Sequence, residues 1–201
     1  MNKLKKQPKH IAHLSRDPVL GELLLRVSLP KLELRTDHFV ALARSIVGQQ
    51  LSTKAAQSIW LRFLTLFKGA PTPKAVLKLT EQKMRAVGLS FSKIKYIKNL
   101  AQFALEHPKF PELAALTDAE IIELLTEIKG IGRWTAEMFL IFALGREDVF
   151  SNGDLGLRNA VKRLYKLRKD PSPEKLDKIT KAWSPYRSHA ARVLWKSLDN
   201  E

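Results

Sequence analysis

The sequence predicts an all-α chain on three observations. Residues that cap helix N-termini recur ahead of amphipathic runs, glycines stand where helices should stop, and no stretch convincingly alternates apolar and polar with a strand's period of two. In chain order the starts are Asp17-Pro18, Thr36, Ser52, Thr72-Pro73, Thr80, Ser92, Thr117, Ser172-Pro173 and Ser184-Pro185, with Gly69 and Gly88 as stops. Leu23, Leu24, Leu25 and Val27 come nearest to a strand, but they follow Asp17-Pro18 and suit a helix better. About nine to eleven short helices with brief connections are expected. No internal repeat or low-complexity linker marks a domain boundary.

The richest stretch runs from Ile128 to Val161. Thr117-Asp118-Ala119-Glu120 reads as a capping box that opens a helix through about Glu127, with Ile121, Ile122, Leu124, Leu125 and Ile128 as its apolar side. A tight turn, Gly130-Ile131-Gly132, leads into a second apolar helix over Arg133 to Leu144. Glycines let the backbone take conformations that side chains forbid, so N–H groups at the turn and at the next helix start can converge on an anion such as a phosphate. An ordinary helical corner would carry the same Gly-x-Gly.

Asp154 precedes Leu155, Leu157, Val161 and Leu164 and is well placed to cap a third helix. Capping is compatible with chemistry, because a helix N-terminus favours the ionised carboxylate that nucleophile activation or cation stabilisation requires.

Composition narrows the partners. The 201 residues, 45% of them hydrophobic, suffice for one core or two small lobes. Thirty-five Lys and Arg against 20 Asp and Glu give +15, with a pI near 10.1, so a polyanion is the natural partner and nucleic acid the foremost candidate. No apolar run of roughly 18 residues offers a membrane span. The absence of cysteine excludes disulfides, thiol catalysis and a cysteine-held iron–sulfur cluster. His10, His13, His38, His107 and His189 show no metal-ligand spacing beyond the pair near the N-terminus, so no divalent metal is expected. The basic start, with Lys3, Lys5, Lys6, Lys9 and Arg16, lacks the apolar core and cleavage site of a secretion signal. An intracellular protein is expected, working in the cytoplasm or nucleoid of a bacterium or in a eukaryotic nucleus.

The ordered series Ala41-Leu42-Ala43-Arg44-Ser45-Ile46-Val47-Gly48-Gln49-Gln50-Leu51-Ser52, Gly88-Leu89-Ser90, the glycine turn, Asp148-Val149-Phe150, Asp154-Leu155-Gly156-Leu157-Arg158 and Trp183-Ser184-Pro185-Tyr186-Arg187-Ser188 resembles the helix–hairpin–helix (HhH-GPD) DNA glycosylases. Within them it is most similar to the 3-methyladenine DNA glycosylase II group of bacteria and yeast. The resemblance covers about residues 36 to 196, and the 22-residue step from Gly132 to Asp154 is among its specific elements.

The resemblance implies an HhH-GPD fold of two helical lobes flanking a cleft, without the N-terminal β domain of larger bacterial members. The expected bounds are a basic flexible tail over 1–14 and a catalytic unit over 15–201, its middle lobe about 37–146 and its second lobe about 15–36 plus 147–201. Asp154 is implied as the catalytic carboxylate at the cleft, and Trp134, Met138 and Trp195 as the base pocket. Met138 stands where a tyrosine is frequent. Gly130, Ile131, Gly132, Arg133 and Thr135 are implied to grip DNA, and Gln49, Gln50 and Leu51 to form the wedge that fills the gap left by a flipped base. For Gln49 and Leu51, backbone capping and core packing are equally open. Carbonyls of Thr126, Ile128 and Ile131 match positions that hold Na or K in the family. Relatives that also nick the strand carry a Schiff-base lysine where this chain has Trp134. Trp60 and Trp183 read as structural, and Arg187 as either a helix lock or a phosphate contact.

The expected activity is therefore monofunctional excision of alkylated bases, of the 3-methyladenine and 7-methylguanine type, from damaged double-stranded DNA in base excision repair. A monomer that leaves an abasic site and needs no cofactor is expected. The alternatives are a glycosylase for uracil, hypoxanthine or an oxidised purine, a non-catalytic DNA-binding module, and a generic basic helical scaffold.

Overall fold

The computed structural model describes residues 8–28, 32, 34, 37–107 and 109–198, and among them there is no strand. The helices are α1 Lys9–Leu14, α2 Pro18–Arg26, α3 His38–Gly48, α4 Thr53–Leu64, α5 Pro73–Leu77, α6 Glu81–Ala86, α7 Phe91–Glu106, α8 Asp118–Thr126, α9 Arg133–Phe142, α10 Leu155–Leu164, α11 Pro173–Thr180 and α12 Arg187–Leu198, with 3-10 turns at Phe110–Ala115 and Lys181–Trp183. None of them is long and apolar enough to cross a membrane.

Most starts follow from the caps. Side chains of Asp17, Ser52, Thr72, Thr80, Thr117, Asp154 and Ser172 each accept from a first-turn amide. The capping box of Thr117 and Glu120 is complete. Three starts differ from the sequence expectation. Thr36 lies outside the described residues, and Asp37 caps α3 by accepting from Val40 N at 2.9 Å. The start near Ser92 moves to Ser90, because Gly88 turns the chain at φ +98° and Ser90 Oγ then accepts from Lys93 N at 3.3 Å. The amides opening α12 are met from outside the local sequence: Arg187 N donates to Asp148 Oδ1 at 3.3 Å and Ser188 N to Glu147 O at 2.9 Å. Ser184 instead donates its hydroxyl to Asp148 Oδ2 at 2.8 Å.

A second difference is at the N-terminus. Residues 9–14, expected within a flexible tail, form α1, which brings the α-helices among the described residues to twelve. Leu14 is buried, His13 Nε2 lies 3.1 Å from Ala182 O, and the His10 ring stacks on His189 with centroids 4.1 Å apart. Apolar burial thus outweighs the basic composition of this segment. The expected tail residues 1–7 lie outside the described residues.

The chain divides into two compact units, Met1–Leu32 with Gly145–Glu201, and Glu33–Leu144. In the first, α10 packs on α12, and α12 also meets α2. Leu157, Ala160 and Val161 share its core with Ala190, Ala191 and Leu194, together with Leu14, Leu20, Leu176 and Trp183. The alanines let the helix backbones approach closely. In the second unit α3 is central, with Phe39, Ala41, Leu42, Ala43, Ile46 and Val47 buried against α4, α7 and α9.

Asp17 ties the first unit together. One carboxylate oxygen caps α2 through Val19 N and Leu20 N, at 3.0 and 3.1 Å, and the other accepts from Tyr165 Oη and, at 3.0 Å, from Trp183 Nε1. Burial alone would raise its pKa, but the hydrogen bonds from Tyr165, Trp183 and the two amides outweigh that and hold the carboxyl below the usual range. A depressed carboxyl stabilises the fold above its ordinary pKa, and this contribution is lost as pH falls through the folded value. Asp17→Ala is expected to destabilise the protein by about 3 kcal/mol at neutral pH, since it removes a cap and leaves the Trp183 and Tyr165 donors unpaired. The deficit should shrink below pH about 4. Urea unfolding of both proteins at several pH values checks this, and a deficit that persists unchanged into acid would contradict it.

Candidate active site

Asp154 is the N-cap of α10, and the residue is 9% exposed. Its Oδ1 accepts from Leu157 N at 2.7 Å and from Trp195 Nε1 on α12 at 3.0 Å. Two donors converging on one oxygen fix the carboxylate's rotamer and plane, as a reactive group needs. The packing of α10 on α12 delivers the indole across 41 positions of sequence. Gly156 makes room for the pair, since a Cβ there would lie 3.1 Å from Asp154 Oδ1 and 3.4 Å from Trp195 Cδ1. The sequence placed Trp195 against a base, and the structure adds a role it did not suggest, a donor to Asp154. Gly156 was legible only as part of a motif.

The hairpin between α8 and α9 belongs to the second unit. Gly130 takes φ +109°, and a Cβ there would fall 2.1 Å from Tyr96 Cγ, so glycine is required twice over. Ile131 N closes the turn on Ile128 O at 2.9 Å, with both isoleucines buried. The freedom expected at Gly132 is not used: its φ is −94° and nothing lies within 4 Å of an added Cβ. Gly132 contributes otherwise, as the N-cap of α9 with no side-chain cap hydrogen bond. Arg133 is exposed at this helix start, its Nε donating to the buried Glu137 at 2.9 Å.

Gln49 faces inward rather than outward. Its Nε2 donates to Gly130 O at 2.9 Å and lies 3.4 Å from Thr135 Oγ1, and the Thr135 side chain is buried. The backbone-capping alternative therefore describes the Gln49 side chain, and the Thr135 hydroxyl is not on the surface expected for it. Gln50 is exposed and holds φ +57°, a left-handed conformation that residues other than glycine seldom adopt and that often marks a functional turn. Leu51 is 38% exposed. With Met138, Arg44, Gly48, Phe139 and Phe142 it lines a cavity of about 350 Å³ within the second unit.

The structure thus brings Asp154 to Trp195, Gln49 to the hairpin and Leu51 to Met138. Trp134 is 45% exposed on the first turn of α9, and it does not line the cavity that Met138 lines. Arg187 is a helix lock: its guanidinium binds both carboxylate oxygens and the carbonyl of Asp148, at 2.7, 3.0 and 2.9 Å. Burial would raise the Asp148 carboxyl, but Arg187 and Ser184 outweigh it and hold its pKa down.

The two hairpin glycines should respond differently to a methyl group. Gly130→Ala is expected to destabilise by about 3 kcal/mol through left-handed strain and the clash with Tyr96, whereas Gly132→Ala should stay within about 1 kcal/mol. Thermal unfolding of the two variants checks this, and equal losses would contradict the assigned backbone.

The family of HhH-GPD superfamily base excision DNA repair proteins matches residues 43–185. The chain is 38% identical to DNA-3-methyladenine glycosylase 1 of Schizosaccharomyces pombe, over 81% of this chain and 73% of that protein. It superposes with a TM-score of 0.84 on a structure of the 3-methyladenine DNA glycosylase of the same yeast in complex with abasic DNA, at 36% identity, covering 96% of this chain and 97% of that one. For the crystal structure of a DNA-3-methyladenine glycosidase from Bacillus halodurans the TM-score is 0.82, at 36% identity over 95% of this chain and 89% of that one. With the glycine hairpin, the capped carboxylate and the match across residues 43–185, the chain belongs to the HhH-GPD superfamily of base excision DNA repair proteins.

Proposed function

We propose that this protein is a monofunctional 3-methyladenine DNA glycosylase, type II, that flips alkylated bases out of double-stranded DNA and hydrolyses their bond to the sugar. The observation that carries the reading is the Asp154 carboxylate, which caps α10 by accepting from Leu157 N and is held by Trp195 Nε1, in a chain similar to proteins named for 3-methyladenine. A net charge of +15 suits a DNA partner, and a monomer working inside the cell, where that DNA is, suffices.

The chemistry follows from the parts. A base in a duplex must leave the stack before its C1′ can be reached. The hairpin amides and Arg133 hold the backbone phosphate, and the turn at Gln50 and Leu51 fills the gap. As C1′–N breaks, the bonding electron pair leaves with the base, a cationic purine departs neutral, and the sugar acquires oxocarbenium character. Asp154 stabilises that cation and accepts a proton from the water that attacks C1′, leaving a free base and an abasic site. The side chains proposed to meet the base are Trp195 in the first unit and Trp134 and Met138 in the second. The carbonyls of Thr126, Ile128 and Ile131 would hold Na or K at the hairpin. A neutral donor set suits a single charge, Ile128 O keeps one lone pair beside its bond from Ile131 N, and the ion would add positive charge near the phosphate. No iron–sulfur cluster is assigned, as the chain has no cysteine to hold one.

The purified protein is expected to release 3-methyladenine and 7-methylguanine from randomly methylated DNA, read by chromatography of the free bases. Asp154→Asn should abolish nearly all release while DNA binding survives, because an amide oxygen still accepts both hydrogen bonds but carries no charge. Release within a few-fold of wild type by Asp154→Asn would sink the catalytic assignment, and release of only uracil or hypoxanthine would sink the alkylated-base reading.

Two substitutions at Trp195 separate its N–H from its aromatic face. Trp195→Phe keeps the face and should slow all substrates by about tenfold or more, since a hydrogen bond to a charged group contributes roughly 1.5–3 kcal/mol. Trp195→Leu should in addition shift the rate ratio against cationic bases, because the indole face attracts a charged ring by about 0.5–2 kcal/mol and a neutral one less. If the two variants showed the same ratio of rates on 7-methylguanine and hypoxanthine, stacking would have no part in selectivity.

Trp134 stands where strand-nicking relatives carry the lysine that attacks the sugar, and an indole cannot form a Schiff base. Incubation with abasic DNA and borohydride is expected to trap no covalent complex on a denaturing gel, and a trapped complex would refute monofunctionality.

A further inference from the structure

Lys93, Tyr96 and Asn99 form a stripe along α7, three residues apart, and reach two segments proposed to face DNA, Lys93 the end of α3 ahead of residues 49–51 and the other two the hairpin. Lys93 Nζ donates to Val47 O at 2.7 Å, in the last turn of α3 that leads into residues 49–51. Asn99 Nδ2 donates to Lys129 O at 3.2 Å, at the entrance of the hairpin. The Tyr96 ring occupies the space that a Cβ on Gly130 would need. Gln49 Nε2 closes the circuit by donating to Gly130 O at 2.9 Å. Carbonyls at a helix end and in a hairpin have no intrahelical donors, so these side chains satisfy acceptors that would otherwise rely on water. Water would leave the loops free to move apart. Burial also pulls the Lys93 ammonium below its ordinary pKa, an expense that a lysine turned to solvent would avoid.

We propose that Lys93, Tyr96 and Asn99 are positioning residues that hold the turn at 49–51 and the hairpin at 130–132 at a fixed separation. A phosphate gripped at the hairpin then drives the wedge against the base stack, where loops free to spread would absorb the motion. The inference rests on the reading of these loops under Proposed function, and none of the three residues need touch the reacting base.

The test compares affinities for a duplex carrying a tetrahydrofuran abasic-site analogue and for the same duplex intact. An abasic site needs the wedge, and an intact duplex needs only phosphate contacts. Loss of the Lys93 charge weakens both alike, so the ratio isolates the brace. The wild type should prefer the abasic duplex. Lys93→Met with Asn99→Ala should lower that preference by about tenfold, the scale of two lost hydrogen bonds, and Asn99→Ala alone by about threefold. Lys93→Arg, which keeps a donor in reach of Val47 O, should retain most of it. The single Asn99→Ala variant carries the test if the double variant fails to fold. A wild type that discriminates, alongside folded variants that discriminate as well, overturns the brace. A wild type that binds both duplexes equally overturns the functional reading on which the brace rests.

Discussion

Close approach of α10 to α12 is the constraint on which the candidate active site depends. Ala160, Ala190 and Ala191 make that approach possible, and without it Trp195 Nε1 could not stand 3.0 Å from Asp154 Oδ1. The same packing leaves Asp154 only 9% exposed and makes position 156 tight for any side chain. Asp17 anchors the same unit by joining the start of α2 to Trp183 and Tyr165. A polar group that both caps a helix and satisfies buried side-chain donors makes the core specific as well as stable.

Asp154 and Asp17 show one device put to two uses. Both are N-caps, and both also accept from an indole N–H. At Asp17 the indole belongs to Trp183, which is fully buried, and the arrangement locks a core. At Asp154 the indole belongs to the partly buried Trp195, and the arrangement orients the carboxylate proposed to act in catalysis. The two differ in how the donors are shared: at Asp17 the amides and the indole bind different oxygens and Tyr165 adds a further donor, whereas at Asp154 amide and indole converge on Oδ1.

The second unit solves a different problem. Its hairpin has little internal hydrogen bonding to stiffen it, yet an anion site is useful only if its amides keep their direction. Side chains supply the stiffness: Gln49, Tyr96 and Asn99 all bear on residues 129–130. The glycine that starts α9 leaves that helix without the side-chain cap that Ser, Thr or Asp provides at most of the others. That combination of a stiff turn and an uncapped helix start is what a phosphate grip requires.

The sequence by itself determined the helical class, because helix caps act within four residues of their own position and leave a local record. Thr117 with Glu120, Asp154 and the glycine turn were legible for that reason. Starts set by distant partners were not. Ser184 yielded to Asp148 and Glu147 at the start of α12, and α1 was hidden by the basic composition of the N-terminal sequence because the burial of Leu14 depends on helices far along the chain. The roles of side chains that act across helices were likewise decided by tertiary structure alone. Nothing local distinguishes Lys93, Tyr96 and Asn99 from a solvated stripe, or tells that the indole N–H of Trp195 donates a hydrogen bond to Asp154, since periodicity reports which face of a helix is apolar but not which atom it meets.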